Sequence, residues 1–387
     1  MKARRRILLV PACGAALVVV VVVATALLHP PLRRQPGVAA PLEWVGALHT
    51  HTDASHDGGG TLEQLVGAAT GLDFVLVSDH NVRGLPGSRY HGALLLVAGE
   101  EVSSPHGHLV VVGERAVPAS ARDPDAGPVE PALGLRIAAH PMGRRRWTAW
   151  EEGYFDAMEI WNADSERRGD GALEWIHALA LVPLRPVAGL YRLLDHPVRN
   201  LMAWDLLTRT RHVAGVCGVD AHNSLPLPLG LDLHFPAYRH SLALARQHVF
   251  LASPPTGEAA ADAALVAEAL RRGRSFCAFS GLGDARGAAF SVRSGENTAA
   301  LGETIAWSPG AALVVTLPPA GAEATLRLIR DGRVVAEGRG PSWRAALPGP
   351  GVYRVEAFLE QGRTVPWILT NPVWVVGDAM PGGEAGR

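Results

Sequence analysis

The chain has 387 residues, of which 48% are hydrophobic and 19% are charged, so it has enough apolar side chains for a buried core and is not a disordered protein. Its 36 basic and 37 acidic residues give a formal net charge of −1. We therefore expect no nucleic acid among its partners, because nucleic-acid binding needs a concentrated cationic surface.

The N-terminal sequence is typical of a membrane anchor. Four of the first six residues are basic, and residues 7–28 carry no charge. As a helix this segment would span about 33 Å, roughly the hydrocarbon thickness of a bilayer. Because a basic end stays in the cytoplasm, the pattern predicts a transmembrane helix in the lipid bilayer and places the rest of the chain outside the cytoplasm, periplasmic or at the cell surface. A cleaved signal peptide, processed near Ala24-Thr25-Ala26, is the alternative.

The sequence pattern divides the chain into three regions. Residues 1–41 hold the anchor and a linker rich in Pro, Arg and Gly. Within residues 42–284, continuous apolar runs such as 74–77 alternate with helical segments such as 61–70, which is typical of parallel strands covered by helices. This alternation predicts an α/β barrel or an open sheet.

The last region, residues 285–378, has strand periodicity. The segments 325–330 and 333–336 flank Asp331-Gly332, a two-residue hairpin signal, and residues 352–358 alternate in the same way. Several short strands separated by Pro and Gly turns predict a small antiparallel β-sandwich domain.

Only one disulfide is available outside the N-terminal apolar run, because Cys13 lies within that run. The other two cysteines, Cys217 and Cys277, flank apolar stretches that resemble buried strands. We favour buried free thiols over a disulfide at these positions, since free cysteine behaves as a small buried hydrophobe.

Imidazole and carboxylate side chains recur where the apolar runs end. In α/β barrels the C-terminal ends of the strands converge on one face, so groups at these positions meet there. Nitrogen and carboxylate ligands without thiolate suit Zn²⁺, Mn²⁺ or Fe²⁺. The candidate ligands are His49, His51, Asp57, His80, Glu101, His108, His140, Asp220 and His222.

The order of these motifs resembles that of the PHP (polymerase and histidinol phosphatase) family of metal-dependent phosphoesterases. The motifs that carry the resemblance are His49-Thr50-His51-Thr52, Ser55-His56-Asp57-Gly58, Ser78-Asp79-His80-Asn81, Gly99-Glu100-Glu101-Val102-Ser103, Gly107-His108, His140-Pro141 and Asp220-Ala221-His222. Residues 273–276 and 366–372 are similar to the β-sandwich appended to the CehA-like subgroup, which includes a carbaryl hydrolase.

The resemblance implies a distorted (β/α)7 TIM-like barrel with two or three divalent metal ions, Zn, Mn or Fe. It implies that the first ion is held by His49, His51, Glu101 and Asp220. It implies that the second is held by Glu101, which bridges the two, with His108 and His140. It implies that the third is held by Asp57, His80 and His222.

Chemistry at such a site predicts an enzyme. A water shared by two divalent cations loses a proton near neutral pH and can attack phosphorus, with Glu101 bridging the metals. His56 or Asp79 is the candidate proton donor to the leaving oxygen, and Arg144 is the candidate guanidinium for phosphate oxygens. Asn162 is expected to line the pocket. The predicted substrate is a small-molecule ester, phosphorylated, either a phosphomonoester or a phosphodiester.

Two alternatives stay open from the sequence. The same site can act on carboxylic ester, amide or carbamate bonds, as the resemblance to the CehA-like subgroup allows. Alternatively, the metals only stabilise the fold of a non-catalytic surface module.

Overall fold

Strands predominate over helices in this chain. The computed structural model describes residues 35–163, 165–167, 180–226, 232–359 and 365–377, together with the single positions 20, 24 and 178. The described residues form five α-helices: α1 Leu62–Ala68, α2 Pro186–Tyr191, α3 Val198–Thr208, α4 Tyr238–Ser241 and α5 Ala259–Arg271. Their strands are β1 Glu43–Thr50, β2 Phe74–Val77, β3 Arg89–His91, β4 Leu94–Ser104, β5 Gly107–Val112, β6 Leu135–Ala138, β7 Ala157–Asn162, β8 Ala214–Ala221, β9 Leu225–Pro226, β10 Asp232–Leu233, β11 Arg246–Phe250, β12 Ser275–Ala278, β13 Ala289–Ser294, β14 Asn297–Ala300, β15 Thr304–Ala306, β16 Ala312–Thr316, β17 Thr325–Arg330, β18 Arg333–Arg339, β19 Ser342–Ala346, β20 Gly351–Phe358, β21 Ile368–Thr370 and β22 Val373–Val376.

Seven strands close into a barrel, in the order β1-β2-β4-β5-β6-β7-β8 and back to β1. All neighbours in the barrel are parallel except at β5, which runs antiparallel to both β4 and β6. The parallel strands therefore end at the same rim, and the start of β5 lies at that rim as well. Every group at this rim faces one opening.

The barrel strands carry apolar side chains on both faces, and alternate positions belong to one of two buried clusters. Val97, Val110 and Val216 belong to one buried cluster that also includes Val266 of α5. Because successive side chains of a strand point to opposite faces, the alternation that places Val97 in this cluster puts Glu101, four residues further along β4, on the same face. The apolar core thus leads directly to the polar residues at the rim.

The predicted (β/α)7 TIM-like barrel, with a helix after every strand, is wrong. The structure has a closed seven-stranded β-barrel with few helices. In the described residues, only the β1–β2 and β7–β8 connections contain α-helices, whereas β4, β5 and β6 follow one another through turns and 3₁₀ segments. The continuous apolar runs are buried, but further strands lie against part of the barrel where helices were expected: β11 pairs with the start of β1, and Cys277 of β12 is bonded to Cys217 of β8.

The C-terminal strands continue the hydrogen bonding of the barrel. Strand β12 pairs with β21, which pairs with β20, and β20 pairs with β17 and β22. A separate antiparallel sheet has the order β14-β13-β16-β19. The predicted hairpin at Asp331-Gly332 is confirmed: Arg330 pairs with Arg333, and both turn residues have positive φ angles. The division of the chain into three regions, with boundaries after residues 41 and 284, stays a prediction.

The two cysteines of the barrel region form a disulfide, so the expectation of free thiols is wrong. Cys217 of β8 and Cys277 of β12 are bonded, with their Cα atoms 5.8 Å apart. Gln247 of the intervening strand β11 accepts a hydrogen bond from the backbone N–H of Cys217. The bridge therefore ties the barrel to the strand that leads into the C-terminal sheet, a proximity that 60 residues of sequence separation conceal.

A membrane-crossing helix is not found in the part of the chain that the structure describes, because none of its helices combines sufficient length with sufficient apolarity. The predicted anchor, residues 7–28, lies outside the described residues except for positions 20 and 24. This finding contradicts the prediction of a transmembrane helix and, with it, the prediction of an extracytoplasmic location.

Candidate metal centre

All nine predicted ligands meet at the rim of the barrel. Their nitrogen and oxygen atoms form four overlapping groups, in each of which the candidate ligand atoms lie within 4.8 Å of one another. The groups are His49 with His51 and Asp220; His49 with Glu101 and His140; His51 with Asp57 and His222; and His80 with Glu101 and His108. Segments from the whole length of the barrel thus contribute to one cluster.

Glu101 of β4 lies at the centre of this cluster. Its two carboxylate oxygens each lie within 3.3 Å of imidazole nitrogens, and five imidazoles are involved in total: His49, His51, His80, His108 and His140. The adjacent Glu100 points elsewhere and accepts a hydrogen bond from the backbone N–H of Val117. Strand alternation therefore separates the two glutamates, and Glu101 is the one that faces the cluster.

Asp220 and Asp57 contribute the other carboxylates. Asp220 Oδ1 lies 3.3 Å from His51 Nε2 and 3.5 Å from His49 Nε2. Asp57 Oδ2 lies 3.4 Å from His222 Nε2, and its Oδ1 lies 3.8 Å from His51 Nδ1. Asp57 and His222 are the more exposed members, with about 30% and 26% of their side chains accessible. This side of the cluster is open to solutes.

The grouping differs from the implied one at two residues, His140 and His80. His140 groups with His49 and Glu101, whereas the implied set joins it with Glu101 and His108. His80 lies beside Glu101 and His108, with its Nδ1 2.9 Å from Glu101 Oε2, whereas Asp57 and His222 group with His51. The assignment of His80 together with Asp57 and His222 to one ion therefore stays a prediction.

Three of the candidate ligands have an unusual backbone conformation. His49, His140 and Asp220 have φ angles of 64°, 30° and 46°, in the region that residues other than glycine rarely adopt. At His49 the register of β1 against both neighbouring strands also shifts. Both His49 and His51 face the cluster across this irregularity. Such strain costs energy and is common at functional sites.

Glu159 is a buried residue of the site that the sequence did not reveal. Its Oε1 accepts a hydrogen bond from His49 Nδ1 at 2.7 Å, and its Oε2 accepts one from the backbone N–H of His140 at 2.7 Å. Asn162, on the same strand, donates to Oε2 at 2.8 Å. Outer carboxylates of this kind fix the orientation and tautomer of metal-binding histidines. The available signal was a single charged residue inside the apolar strand 157–162.

The carboxylates of the cluster are ionised. Burial by itself would raise the pKa of Glu101, but His49, His108 and His140 outweigh it and hold that pKa well below its usual value. Burial is likewise outweighed at Asp220, where His49 and His222 keep the pKa well below normal. The site therefore offers anionic oxygens at neutral pH.

The imidazoles fall into two classes. Burial lowers the pKa of His51 and of His108, which favours the neutral, electron-donating form of both. For His49, burial is outweighed by Asp220, Glu159 and Glu101, which raise its pKa well above the usual value. A potential that attracts a proton to His49 attracts a metal cation as well.

The donor atoms in the cluster fit bound cations. His49 Nε2, both ring nitrogens of His51 and Asp57 Oδ1 are buried and have no hydrogen-bond partner. Buried polar atoms without a hydrogen-bond partner are costly, and the atoms that they face are further electron-pair donors. Cations between them would satisfy both sides. Oxygen and imidazole donors without thiolate suit Zn²⁺, Mn²⁺ or Fe²⁺.

A cavity of about 630 Å³ opens over the cluster. The predicted proton donor His56 and the predicted phosphate ligand Arg144 both line it. Arg145 also lines it, with its Nη1 3.3 Å from His108 Nε2. The other predicted donor, Asp79, is fully buried away from this cavity and accepts hydrogen bonds from Thr52 and Ser55. In this position Asp79 holds the loop that carries Asp57.

We compared the chain with family models and with curated proteins. No family model matches the chain, and no curated protein matches it.

Proposed function

We propose that this chain is a metal-dependent hydrolase that cleaves a phosphomonoester or phosphodiester of a small molecule, with two or three divalent cations, Zn, Mn or Fe, in the cluster. The observation that carries the proposal is the set of buried donor atoms without partners around Glu101, at the floor of a cavity large enough for a small molecule. The order of the motifs, which resembles that of the PHP family and its CehA-like subgroup, supports the same chemistry.

The chain's own residues divide the work. His49, His51, Glu101 and Asp220 would hold one cation deep in the barrel. Glu101 would also be a ligand of a second cation, together with His108 and His140. Divalent cations in such a site supply a water of lowered pKa and neutralise the charge of the substrate. The buried anionic Glu101 also holds five imidazoles in place through contacts of 2.9 to 3.3 Å.

Residues at the mouth would bind and protonate the substrate. Arg144 and Arg145 line the cavity above the cluster, where a guanidinium can bind two phosphate oxygens at once. His56 is exposed at the same mouth, with its ring 5.4 Å from that of His80. It is therefore placed to give a proton to a leaving oxygen. A cationic mouth favours an anionic ester over the neutral ester, amide or carbamate substrates of the alternative hypothesis.

A purely structural metal site fits the geometry less well. Structural metal sites are closed, whereas catalytic sites keep an open position. Here the cluster opens into the cavity, and Asp57, His222 and His108 retain exposed surface.

The test combines metal analysis with a substrate screen. We expect the purified chain to contain two or three divalent ions and to hydrolyse nitrophenyl phosphate or bis(nitrophenyl) phosphate faster than nitrophenyl acetate. Chelator and Glu101→Gln should each abolish turnover, while Glu100→Gln, at the neighbouring buried position that faces away, should retain it. Circular dichroism checks that each variant is folded. Turnover that survives in a folded, metal-free sample would overturn the proposal.

A further inference from the structure

A second, smaller cavity adjoins the one above the metal centre. It has a volume of about 560 Å³ and is lined by Met142, Gly143, Arg144, Arg146, Ser165 and Arg199. Arg144 and Ser165 line both cavities. A molecule that occupies the larger cavity can therefore extend into the smaller one.

The walls of this second cavity are fixed by the same strand that supports the metal centre. Asn162 at the end of β7 donates to Glu159 and accepts from the backbone N–H of Ser165 at 3.1 Å. The loop after His140 lies against this turn, since a Cβ atom at Gly143 would lie 2.9 Å from Ser165 Oγ. The loop and the turn form two walls at a set distance from the cluster.

Helix α3 supplies the third wall. Its buried Asn200 donates to Glu166 Oε1 at 2.8 Å, which fixes the start of α3 on the turn after β7. The neighbouring Arg199 lines the cavity. The buried contact of Asn200 thus sets the backbone position of Arg199, whose exposed side chain lines the cavity.

The lining of this cavity is strongly cationic. Three of the six described residues that line it are arginines, and none of the six is acidic. The nearby Glu166 offsets this charge only in part, because burial raises its pKa to about 7 even though Asn200 and Arg199 act in the opposite direction. The like charges of three arginines that line one cavity repel one another, and an anion bound among them would offset that repulsion.

We propose that this cavity is a specificity site for a second anionic group of the substrate, a phosphate or a carboxylate, in addition to the scissile ester. The inference rests on the proposed function and narrows it: the preferred substrates carry two anionic groups, one at the metal centre and one among Arg144, Arg146 and Arg199. Arginine suits this role because its planar fork binds such oxygens in pairs.

The experiment compares butane-1,4-diol bisphosphate with butyl phosphate, using the metal-loaded full chain. We expect kcat/KM for the bisphosphate to exceed that for the monophosphate by roughly tenfold to a hundredfold, the size of one or two hydrogen bonds between charged groups. Arg199→Gln and Arg146→Gln should each remove most of this preference and change the monophosphate rate less than about twofold. Arg209→Gln, at the other end of α3, is the matched control and should preserve the preference.

Binding measured by calorimetry separates this inference from the proposed function. One outcome is a chain that releases no phosphate yet binds the bisphosphate at least tenfold more tightly than the monophosphate, with Arg199→Gln abolishing the difference. That result would support the anion site and overturn the phosphoesterase proposal. Equal rates and equal affinities for the two compounds, or variants that weaken both compounds equally, overturn the anion site and leave the phosphoesterase proposal intact.

Discussion

Glu159 and His49 form a buried hydrogen bond of 2.7 Å between Oε1 and Nδ1, at the inner end of the metal cluster. Because the carboxylate accepts at Nδ1, that nitrogen of His49 carries a proton, and Nε2 is the nitrogen that faces Glu101 and Asp220 and is left to bind a cation. The other oxygen of Glu159 holds the backbone of His140. One carboxylate therefore orients two of the predicted metal ligands.

The first prediction concerns Glu159→Gln. Glutamine has one accepting oxygen where Glu159 uses two, so its NH₂ group must face either His49 Nδ1 or the backbone N–H of His140, and the two histidines cannot both keep their fixed orientation. We expect metal affinity to fall by about tenfold to a hundredfold, measured by competition with a chromogenic chelator.

Glu100→Gln is the control for this first experiment. Glu100 is also buried, but it contacts the backbone of Val117 and not the cluster, so its replacement should leave metal affinity within about twofold of the original. Unchanged affinity in Glu159→Gln would show that Glu159 only fills space in the barrel.

The contrast between these residues shows what the sequence could and could not disclose. The predicted ligands stand where apolar runs end, and this pattern is visible along the chain. Glu159 lies within an apolar strand, and its partners His49 and His140 are 110 and 19 residues away. Its role follows only from strand pairing, which brings β7 between β6 and β8.

The secondary structure of the barrel was also only partly predictable from the sequence. Strand β2 is visible in the sequence as an apolar run, and α1 lies within the predicted helical segment 61–70, with Thr61 as its N-cap in a reciprocal contact with Gln64. Burial of a strand on both faces, however, does not specify what covers it. Helices were expected, but strand β11 pairs with β1 and leads through β12 into the C-terminal sheet.

The disulfide between Cys217 and Cys277 leads to a second prediction. It closes a loop with a sequence separation of 60 residues, and in the chain-entropy account a crosslink of this span stabilises the fold by about 4 kcal/mol. We expect Cys277→Ser to lower the free energy of unfolding in urea by about that amount.

A reducing agent provides the control for the crosslink. It should destabilise the original chain and leave Cys277→Ser unchanged. Equal sensitivity of the two proteins to the reductant would contradict the assignment of this bridge.

A third prediction follows from a buried charge network between α3 and the C-terminal sheet. The Glu356 carboxylate lies 2.6 Å from Arg354 Nη1 and 3.0 Å from His196 Nε2, and Arg354 also binds Asp205. Burial alone would raise the pKa of Glu356, but the hydrogen bond from His196 and the charge of Arg354 lower it to about 2.

Since the pKa of Glu356 is lower in the folded chain than in the unfolded one, its ionised form stabilises the fold above the unfolded value, near pH 4.5, by about 3 kcal/mol. This stabilisation disappears as the pH falls toward 2. We expect Glu356→Gln to lose about 3 kcal/mol of unfolding free energy at neutral pH and to converge with the original chain in acid.

Urea denaturation across that pH range measures the convergence. Glu337→Gln is the matched control, because Glu337 pairs with Arg327 at the surface and such pairs contribute at most about 1 kcal/mol. A deficit of Glu356→Gln that stayed constant from neutral pH to pH 3 would argue against the lowered pKa.

The last prediction concerns the space behind Glu159. Gly218 of β8 lies directly against it, and a Cβ atom at this position would lie 1.9 Å from Glu159 Oε1 and 2.5 Å from its Cδ. Gly218→Ala therefore forces the carboxylate away from His49, so this variant should weaken metal binding about as much as Glu159→Gln, although it removes no polar group. Gly67→Ala, in α1 with nothing within 4 Å of the added carbon, should bind metal normally. Combining Gly218→Ala with Glu159→Gln provides the decisive measurement: if both act through the position of one carboxylate, the double variant should bind metal about as well as either single variant, whereas additive losses would mean that Gly218 acts on the barrel independently of Glu159.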